Sequence, residues 1–416
     1  MKVLIAHPAQ QHSYRLAIAL KKAGMLDKYI TTVYYKNRSL TYFVSKFLKG
    51  SLKIKAENRH CTYIDDNEVI QYCEGEGLLK LVALNTRFLK KKYDQIKYNT
   101  ADRFAKKVAK YAIKHHVDAV VTYDDCSPLL FEELQKKAPN ILRILDMSAA
   151  NILYMRNIYE RDMDIVPSFA NRLRKERSIC WNPIIINRAE REIKATQKFL
   201  VPSNFVAKSL EFSGVKTEQI ILCPYGVDVS QFSMKKYDEN QFIHTRPIRF
   251  IYVGGVKELK GIAYLFDAFM EIPTDDAILT VVGSYCSSDD DIKPYLERIR
   301  FTGNILHDEV AHELKNSDVF VFASLGEGLS LSTLEAAACG LPLIVTENSG
   351  VNDGISDKEG FVIPIQSKDA IKEKVLWFIN HPEKIYPMGE AARKFALLYS
   401  WDAYYERIGK IFYNMQ

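Results

Sequence analysis

Short apolar runs alternate with amphipathic stretches along most of the chain, and that rhythm predicts its elements. Brief, wholly apolar runs read as buried strands, and apolar positions three and four apart read as helices. In the first half the strands are Lys2–Ala6, Tyr29–Tyr34, Ala119–Thr122, Ile141–Leu145, Phe199–Pro202 and Gln219–Leu222. Between them lie the helical patterns His12–Ala23, Asp102–Lys114, Pro128–Lys137 and Asn204–Phe212. Gly24 follows the first of these as a fitting C-terminal stop. Met147–Pro183 reads as helical with loops.

The second half repeats the rhythm more cleanly. Its strands are Arg249–Val253, Ala277–Val282, Asn304–Leu306, Val319–Ala323 and Leu343–Thr346. Its helices are Ile262–Met270, Ile292–Arg300, Glu309–Lys315 and one that carries Glu335. Strands alternating with helices predict an α/β protein with parallel sheets covered on both faces. Two such runs, joined through the polar stretch Lys235–Arg246, predict two doubly wound, Rossmann-like domains spanning 1–230 and 245–400. A final helix at 401–416 is expected to pack back on the first domain. Ligands of such sheets bind beyond the carboxyl ends of the strands, so the two domains should face each other across a cleft.

Composition narrows the class. Apolar content of 47% and charged content of 26% are ordinary for a globular protein. No apolar run reaches the roughly 18–20 residues of a membrane-spanning helix. The opening MKVLIA is a short strand rather than the apolar core of a secretion signal. Seven cysteines are scattered singly, with no C-x-x-C, which points to reduced thiols, a cytoplasmic setting and no zinc framework. His115–His116 reads as a surface helix end. The net charge of +6 hides an asymmetry: residues 1–110 hold 22 Lys and Arg against 9 Asp and Glu. The basic half suggests an anionic partner, but no recognised nucleic-acid-binding motif accompanies it.

The densest chemistry lies at Ser324–Ile344, SLGEGLSLSTLEAAACGLPLI. It follows an apolar strand, so a strand, a Gly-rich turn and a helix N-terminus occur in order. Free amides and the helix dipole make such a turn an anion site. Glu327 and Glu335 are about 12 Å apart along a helix axis if both are helical. Two carboxylates that cleave a glycosidic bond stand about 5–10 Å apart. Two carboxylates holding different ends of one long ligand fits better; a turn residue and a solvated helix residue is the plain alternative. Upstream, Gly254 and Gly255 end the strand IRFIYVGG, Lys260 begins the next helix, and Gly283 ends LTVVG. Glycine there lets a ligand approach the backbone, though each of these is also ordinary strand-end or helix-start usage.

Together these segments resemble a known signature. EGLSLSTLEAAACGLPLI is similar to the E-G-x-x-x-x-x-x-E-A-x-A-x-G-x-P run of the retaining glycosyltransferases of family 4, which have the two-domain GT-B fold. VPSNFVAKSLEFSG, ILCPYGVDVSQF, YVGGVKELKGIAYLFDAF, GFVIP and SWDAYYERIGKIF resemble further family segments in order. The resemblance covers about Pro202–Phe412; before that it is topological only.

The resemblance implies a nucleotide-sugar donor held by the C-terminal domain. Carried over by position, donor contacts fall on Gly254, Gly255, Lys260, Gly283, Glu327, Gly328, Leu329, Ser330, Leu331 and Glu335. Glu335 would accept from ribose hydroxyls and Glu327 from hydroxyls of the sugar. The amides near Leu329–Leu331 would hold the pyrophosphate. Lys260 would stabilise the departing diphosphate, so the catalytic roles fall on Glu327 and Lys260. Neither metal nor cofactor is expected, and Asp289–Asp291 reads as a helix N-terminus. Two positions depart from the pattern. Gly255 stands where the family usually has Arg, with Lys257 the nearest replacement cation, and Tyr225 stands where it usually has Asn.

The acceptor is expected on the N-terminal domain. The loop HPAQQHS offers His7, Gln10, Gln11 and His12, or is simply a polar cap. Asp124, Asp125, Asp146 and Ser148 follow neighbouring strands and would face the cleft; none is assigned as general base. Leu40, Phe43, Val44, Phe47 and Leu48 form an apolar stripe opposite Lys46, Lys49 and Lys53. Residues 36–59 therefore read either as a contact with an anionic inner-membrane face or as a core-packing helix with a solvated lysine face. The implied activity is metal-independent transfer of a hexosyl group to a glycan or lipid-linked glycan in surface polysaccharide assembly. A nucleotide-sugar epimerase of the same fold and an inactive glycan-binding relative are the alternatives.

Overall fold

The apolar runs assemble into two parallel sheets, seen in a computed structural model that describes residues 1–9, 12–124, 126, 128–236 and 246–415. Gln10, Gln11, Asp125 and the middle of the Lys235–Arg246 stretch lie outside the described residues.

The first sheet contains β1 (Val3–His7), β2 (Leu26–Thr31), β3 (Val69–Gln71), β4 (Ala119–Tyr123), β5 (Leu142–Asp146), β6 (Lys198–Val201) and β7 (Ile220–Leu222), in the order β3-β2-β1-β4-β5-β6-β7. The second contains β8 (Ile248–Val253), β9 (Ala277–Val282), β10 (Arg300–Gly303), β11 (Val319–Phe322), β12 (Leu343–Thr346) and β13 (Gly360–Ile363), in the order β10-β9-β8-β11-β12-β13. The strand order reverses between β1 and β4 and again between β8 and β11. These are the switch points where doubly wound sheets bind ligands. The central strands β1, β4 and β11 are buried at every position, as expected for strands covered on both faces.

The strands of the first sheet alternate with α1 (Ser13–Lys22), α2 (Leu40–Ser45), α3 (Gly50–Glu57), α4 (Glu74–Asn85), α5 (Arg87–Lys90), α6 (Tyr93–Lys114), α7 (Pro128–Lys137), α8 (Ile152–Ile165), α9 (Pro167–Glu176), α10 (Pro183–Ala195) and α11 (Asn204–Phe212). Those of the second alternate with α12 (Ile262–Met270), α13 (His307–Lys315), α14 (Leu331–Ala338), α15 (Lys368–Asn380) and α16 (Ile385–Leu397). Helix α17 (Trp401–Tyr413) returns to the first sheet and packs on α1. There Arg15 donates to the Tyr405 hydroxyl at 2.9 Å and lies 4.3 Å over the Trp401 ring. The two chain crossings between sheets are tied together, since the Val227 amide donates to the Tyr399 carbonyl at 2.7 Å.

Several elements differ from the pattern reading. The stripe from Leu40 to Lys53 is two helices: α2 ends at Ser45, and α3 starts anew at Gly50, whose φ is +54°. The core-packing alternative for that stripe fails: Thr41 and Ser45 are the buried residues of α2, and its apolar side chains face out. The expected helix Ile292–Arg300 is reduced to a single 3-10 turn, Lys293–Tyr295, containing Pro294, which offers no amide. The strand expected at Asn304–Leu306 forms earlier, as β10. Asp289–Asp291 is not simply a helix start. Asp289 and Asp291 reach the other domain, where Arg172 on α9 donates to them at 2.7 and 2.6 Å.

That contact belongs to a larger clasp. Helices α8 and α9 leave the first sheet and lie against the second domain. The Leu259 amide donates to Glu176 at 3.3 Å, and the Tyr264 hydroxyl to Asp162 at 2.8 Å. Glu258 is fully buried nearby. Burial raises both carboxyls, Asp162 to about 6 and Glu258 well above its usual range. All seven cysteines are free thiols and six are buried.

Candidate functional site

The carboxyl ends of the two sheets enclose a cavity of about 530 Å³. From the second domain it is lined by Lys257, Lys260, Glu327, Gly328, Leu329 and Leu331; from the first, by His12, Ser148, Tyr159, Arg177 and Tyr225. Trp401, at the start of α17, closes one side.

Lys260 reaches this cavity through a tight turn. Gly261 follows it at a φ of +65°, and a Cβ there would stand 2.0 Å from the Ala323 carbonyl. Only glycine lets the turn sit on the end of β11. Lys260 then pairs with Glu327, whose Oε1 also accepts from the Ser324 hydroxyl at 2.9 Å. The lysine expected on phosphate and the glutamate expected on sugar thus hold each other. The pair is partly shielded, so each keeps the other oriented across the cavity floor.

The turn between β11 and α14 is bound to the next loop as well as to itself. The Glu327 amide donates to the Asn348 carbonyl at 2.8 Å, and the Ser330 amide to the Ser349 carbonyl at 3.1 Å. Ser330 caps α14 through its side chain, accepting from the Thr333 amide. Of the turn amides expected on pyrophosphate, that of Ser330 is already committed, while Leu329 and Leu331 line the cavity. Gly328 meets the other domain: a Cβ there would lie 1.7 Å from the Ser148 carbonyl. The two domains therefore touch at a point that tolerates no side chain.

Glu335 sits one turn along α14, 3.8 Å from the His307 ring. Burial pushes its carboxyl up to about 7. Gly254, Gly255 and Gly283 lie together at the ends of β8 and β9; the Gly254 amide donates to the Val282 carbonyl at 2.8 Å. None of these three lines the main cavity, which draws Lys257 and Arg177 instead. The Nε of Arg177 is buried without a hydrogen-bond partner among the described residues.

On the facing side, His12 and Asp146 meet at 3.0 Å, and the Tyr225 hydroxyl donates to the other oxygen of Asp146 at 3.1 Å. Burial pulls the His12 imidazolium down, but the Asp146 charge and hydrogen bond, with Asp124 behind them, outweigh it and its pKa is raised. Asp124 accepts from the Ser148 hydroxyl at 3.0 Å, and burial pushes its carboxyl up to about 6. It lines an adjoining cavity of about 260 Å³ that shares Ala149, Ala150 and Arg177 with the cleft. His7 is placed differently. Its Nδ1 accepts from the Ala9 amide at 2.9 Å, and its buried ring stands edge-on to Tyr123, behind the cleft wall.

Sequence reasoning missed Arg177, the adjoining cavity and the α8–α9 clasp. Arg177 and the first-domain side of the clasp come from residues 147–183, where no motif marks them, and the adjoining cavity is lined by α7 and α10 as well as by that segment. The role of Tyr225 was visible only as a departure; its hydroxyl is spent on orienting Asp146.

Comparison with known proteins shows the fold and one family match. The fold is the GT-B arrangement of two facing doubly wound domains. A sucrose-phosphate synthase from Thermosynechococcus elongatus superposes with a TM-score of 0.66 at 18% identity, covering 100% of this chain and 99% of that one. Anabaena HepE in complex with UDP superposes with a TM-score of 0.64 at 14% identity, covering 100% of both. Residues 233–395 match the family model of the glycosyl transferases group 1, and this stretch includes Lys257, Lys260, Glu327 and Glu335. Among curated relatives, the sulfoquinovosyl transferase SQD2 of Arabidopsis thaliana is 27% identical over 227 residues, which is 50% of this chain and 43% of the relative. The matched stretch spans a little under half the length of the first relatives it aligns with.

Proposed function

We propose that the protein is a metal-independent, retaining glycosyltransferase that moves a hexosyl group from a nucleotide sugar to a glycan or lipid-linked glycan in surface polysaccharide assembly at the cytoplasmic face. The observation that carries this reading is the single cavity in which Lys260, Lys257, Glu327 and the first turn of α14 stand opposite the His12–Asp146 pair. The UDP complex of HepE, a protein of the same fold, supports a nucleotide as the ligand of the C-terminal half.

In this reading the ribose hydroxyls donate to Glu335, and the diphosphate lies over the turn before α14. The bond from the anomeric carbon to the diphosphate oxygen breaks, the acceptor hydroxyl oxygen bonds to that carbon, and the hydroxyl proton passes to the departing diphosphate oxygen. The negative charge left on the diphosphate is stabilised by Lys260, by Lys257 and by Arg177 from the opposite domain. Lys257 and Arg177 supply what Gly255 lacks. When the donor enters, Lys260 turns from Glu327 to phosphate, and Glu327 is freed to accept from sugar hydroxyls. His12, held by Asp146, binds the acceptor hydroxyl. Three side-chain cations and a helix N-terminus provide the positive charge that a metal would otherwise bring.

The test is a panel of UDP-, GDP- and ADP-sugars, read by thermal shift and by release of the nucleoside diphosphate. A donor should raise the melting temperature, and Glu335→Ala should weaken that shift. Glu327→Ala should lower turnover more than binding. A panel with no binding and no release sinks the proposal. The anomeric configuration of the product, read by NMR, decides retention.

A further inference from the structure

Helix α2 is inside out. Its polar residues Thr41 and Ser45 are buried, while Leu40, Phe43 and Val44 are exposed. The inward side is fixed by hydrogen bonds. Glu74, at the start of α4, accepts from the Thr41 amide and hydroxyl at 2.7 and 2.6 Å, and the Ser45 hydroxyl donates to the Tyr42 carbonyl at 2.8 Å. Rotating the helix to bury its leucine and phenylalanine would break the Thr41–Glu74 hydrogen bonds and set apolar side chains against the half-buried Glu74 carboxylate, which is the more costly arrangement.

The exposed apolar surface does not stop at α2. Phe47 and Phe88 are each 87% exposed, and Leu52, Ile54, Leu79, Val82 and Leu84 are exposed too. Helix α2 packs against α3 and α4, and α4 against α5, so these residues belong to one connected group of helices. Scattered exposed apolar residues mean little, but a group of this size on one set of helices marks an interaction surface. The same segments are strongly basic. Residues 36–59 and 79–92 together hold 12 Lys and Arg and one acidic residue, Glu57. Lys46, Lys49, Lys53, Lys55 and Lys90–Lys92 are exposed.

The charge selects the occupant. A second copy docking through this face would bring two strongly basic surfaces together. None of the described helices is long and apolar enough to cross a membrane. Exposed aromatic and aliphatic side chains ringed by lysines fit the boundary of an anionic bilayer, where apolar groups enter the acyl region and ammonium groups meet the headgroups.

We propose that the face built by α2–α5 docks the protein on an anionic lipid surface, with Phe43, Phe47, Leu52 and Phe88 as the inserted side chains and the lysines on the headgroups. The position of α4 ties this face to the cleft. Lys80 and Thr32 both donate to the Pro8 carbonyl, at 3.1 and 2.8 Å, so α4 is fastened to the loop that leads from β1 to His12. A docked molecule therefore holds the His12 side of its cavity near the bilayer. The proposal rests on this surface and not on the transfer reaction, and its test uses neither donor nor acceptor.

The experiment is sedimentation of the full chain with vesicles of phosphatidylcholine alone or mixed equally with phosphatidylglycerol, across a salt series. Binding is expected on the mixed vesicles, weaker at high salt and at least about tenfold weaker on the neutral ones. Phe47→Ser with Phe88→Ser should lower binding to the mixed vesicles by roughly tenfold or more. Lys46→Ala, Lys49→Ala and Lys91→Ala together should lower it by about 100-fold, near fivefold per lysine. These side chains are exposed, so an unchanged melting temperature verifies that each variant is folded. No binding to the mixed vesicles overturns the proposal, as does a phenylalanine double variant that binds like the parent. A dimer in solution that the same phenylalanine changes dissolve also overturns it, because the face would then be covered by a second copy.

Discussion

The two halves of this protein share one winding and differ in what surrounds it. In the C-terminal half β8, β10, β11 and β13 are each followed by a short connection and a helix, and the candidate residues sit in the turns between them. In the N-terminal half the same sheet carries two long additions. Helices α2–α5 turn apolar side chains and lysines outward, and α8–α9 reach across to clasp the other domain. The difference teaches that a shared scaffold is not the whole of a site. The C-terminal half sets Lys257, Lys260 and Glu327 in its turns, whereas the N-terminal half adds Arg177 and His12 to the same cavity and ties the two domains together.

The comparison breaks hardest at Lys260. If the C-terminal half holds the leaving diphosphate, Lys260→Ala should lower kcat/KM by roughly 10²–10³, the usual loss for one transition-state donor. Lys257→Ala and Arg177→Ala should each lose less, measured as initial rates on the same donor. A larger loss at Arg177 would move the phosphate site toward the N-terminal half.

Next comes Glu335, through pH. Its folded-state pKa is raised from 4.5 to about 7 by burial. Between these values the folded chain binds more protons than the unfolded one. The stabilising contribution is full below pH 4.5 and is lost as pH rises through 7, about 3 kcal/mol in all. Glu335→Gln should remove that slope, seen as a smaller fall in melting temperature from pH 5 to pH 8. Nucleotide binding should favour the ionised carboxylate, so affinity in the parent should fall as pH drops below about 7, and titration calorimetry in buffers of different ionisation enthalpy should report proton release.

A smaller effect is expected on the acceptor side. His12→Ala or Asp146→Asn should raise the acceptor KM by roughly tenfold, the scale of one charge-assisted hydrogen bond. Donor affinity, read by thermal shift, should stay unchanged. A change in donor affinity instead would assign the His12 pair to the sugar.

The smallest effect tests the clasp. A double-mutant cycle of Arg172→Ala and Asp291→Ala should give a coupling of about 1–2 kcal/mol in thermal unfolding. Additive losses would mean that the ion pair does not hold the domains together.

The sequence by itself determined the two parallel sheets and, in the C-terminal half, the strand, glycine and helix order around Gly254, Lys260 and Glu327. Those features are local: a buried strand, the glycines at its end and the helix after it lie within a few residues, so period and punctuation report them. It also flagged Gly255 and Tyr225 as departures without saying what they do. Only the tertiary structure decided that Lys260 faces Glu327, that His12, Asp146 and Tyr225 form one hydrogen-bonded group, and that Arg177 enters the cleft from the opposite domain. It also decided which way α2 faces, because the choice rests on Glu74, far along the chain, accepting from Thr41. Periodicity shows that a helix has two unlike faces. It cannot show which face the rest of the fold has polar partners for, and that pairing turns the apolar side outward.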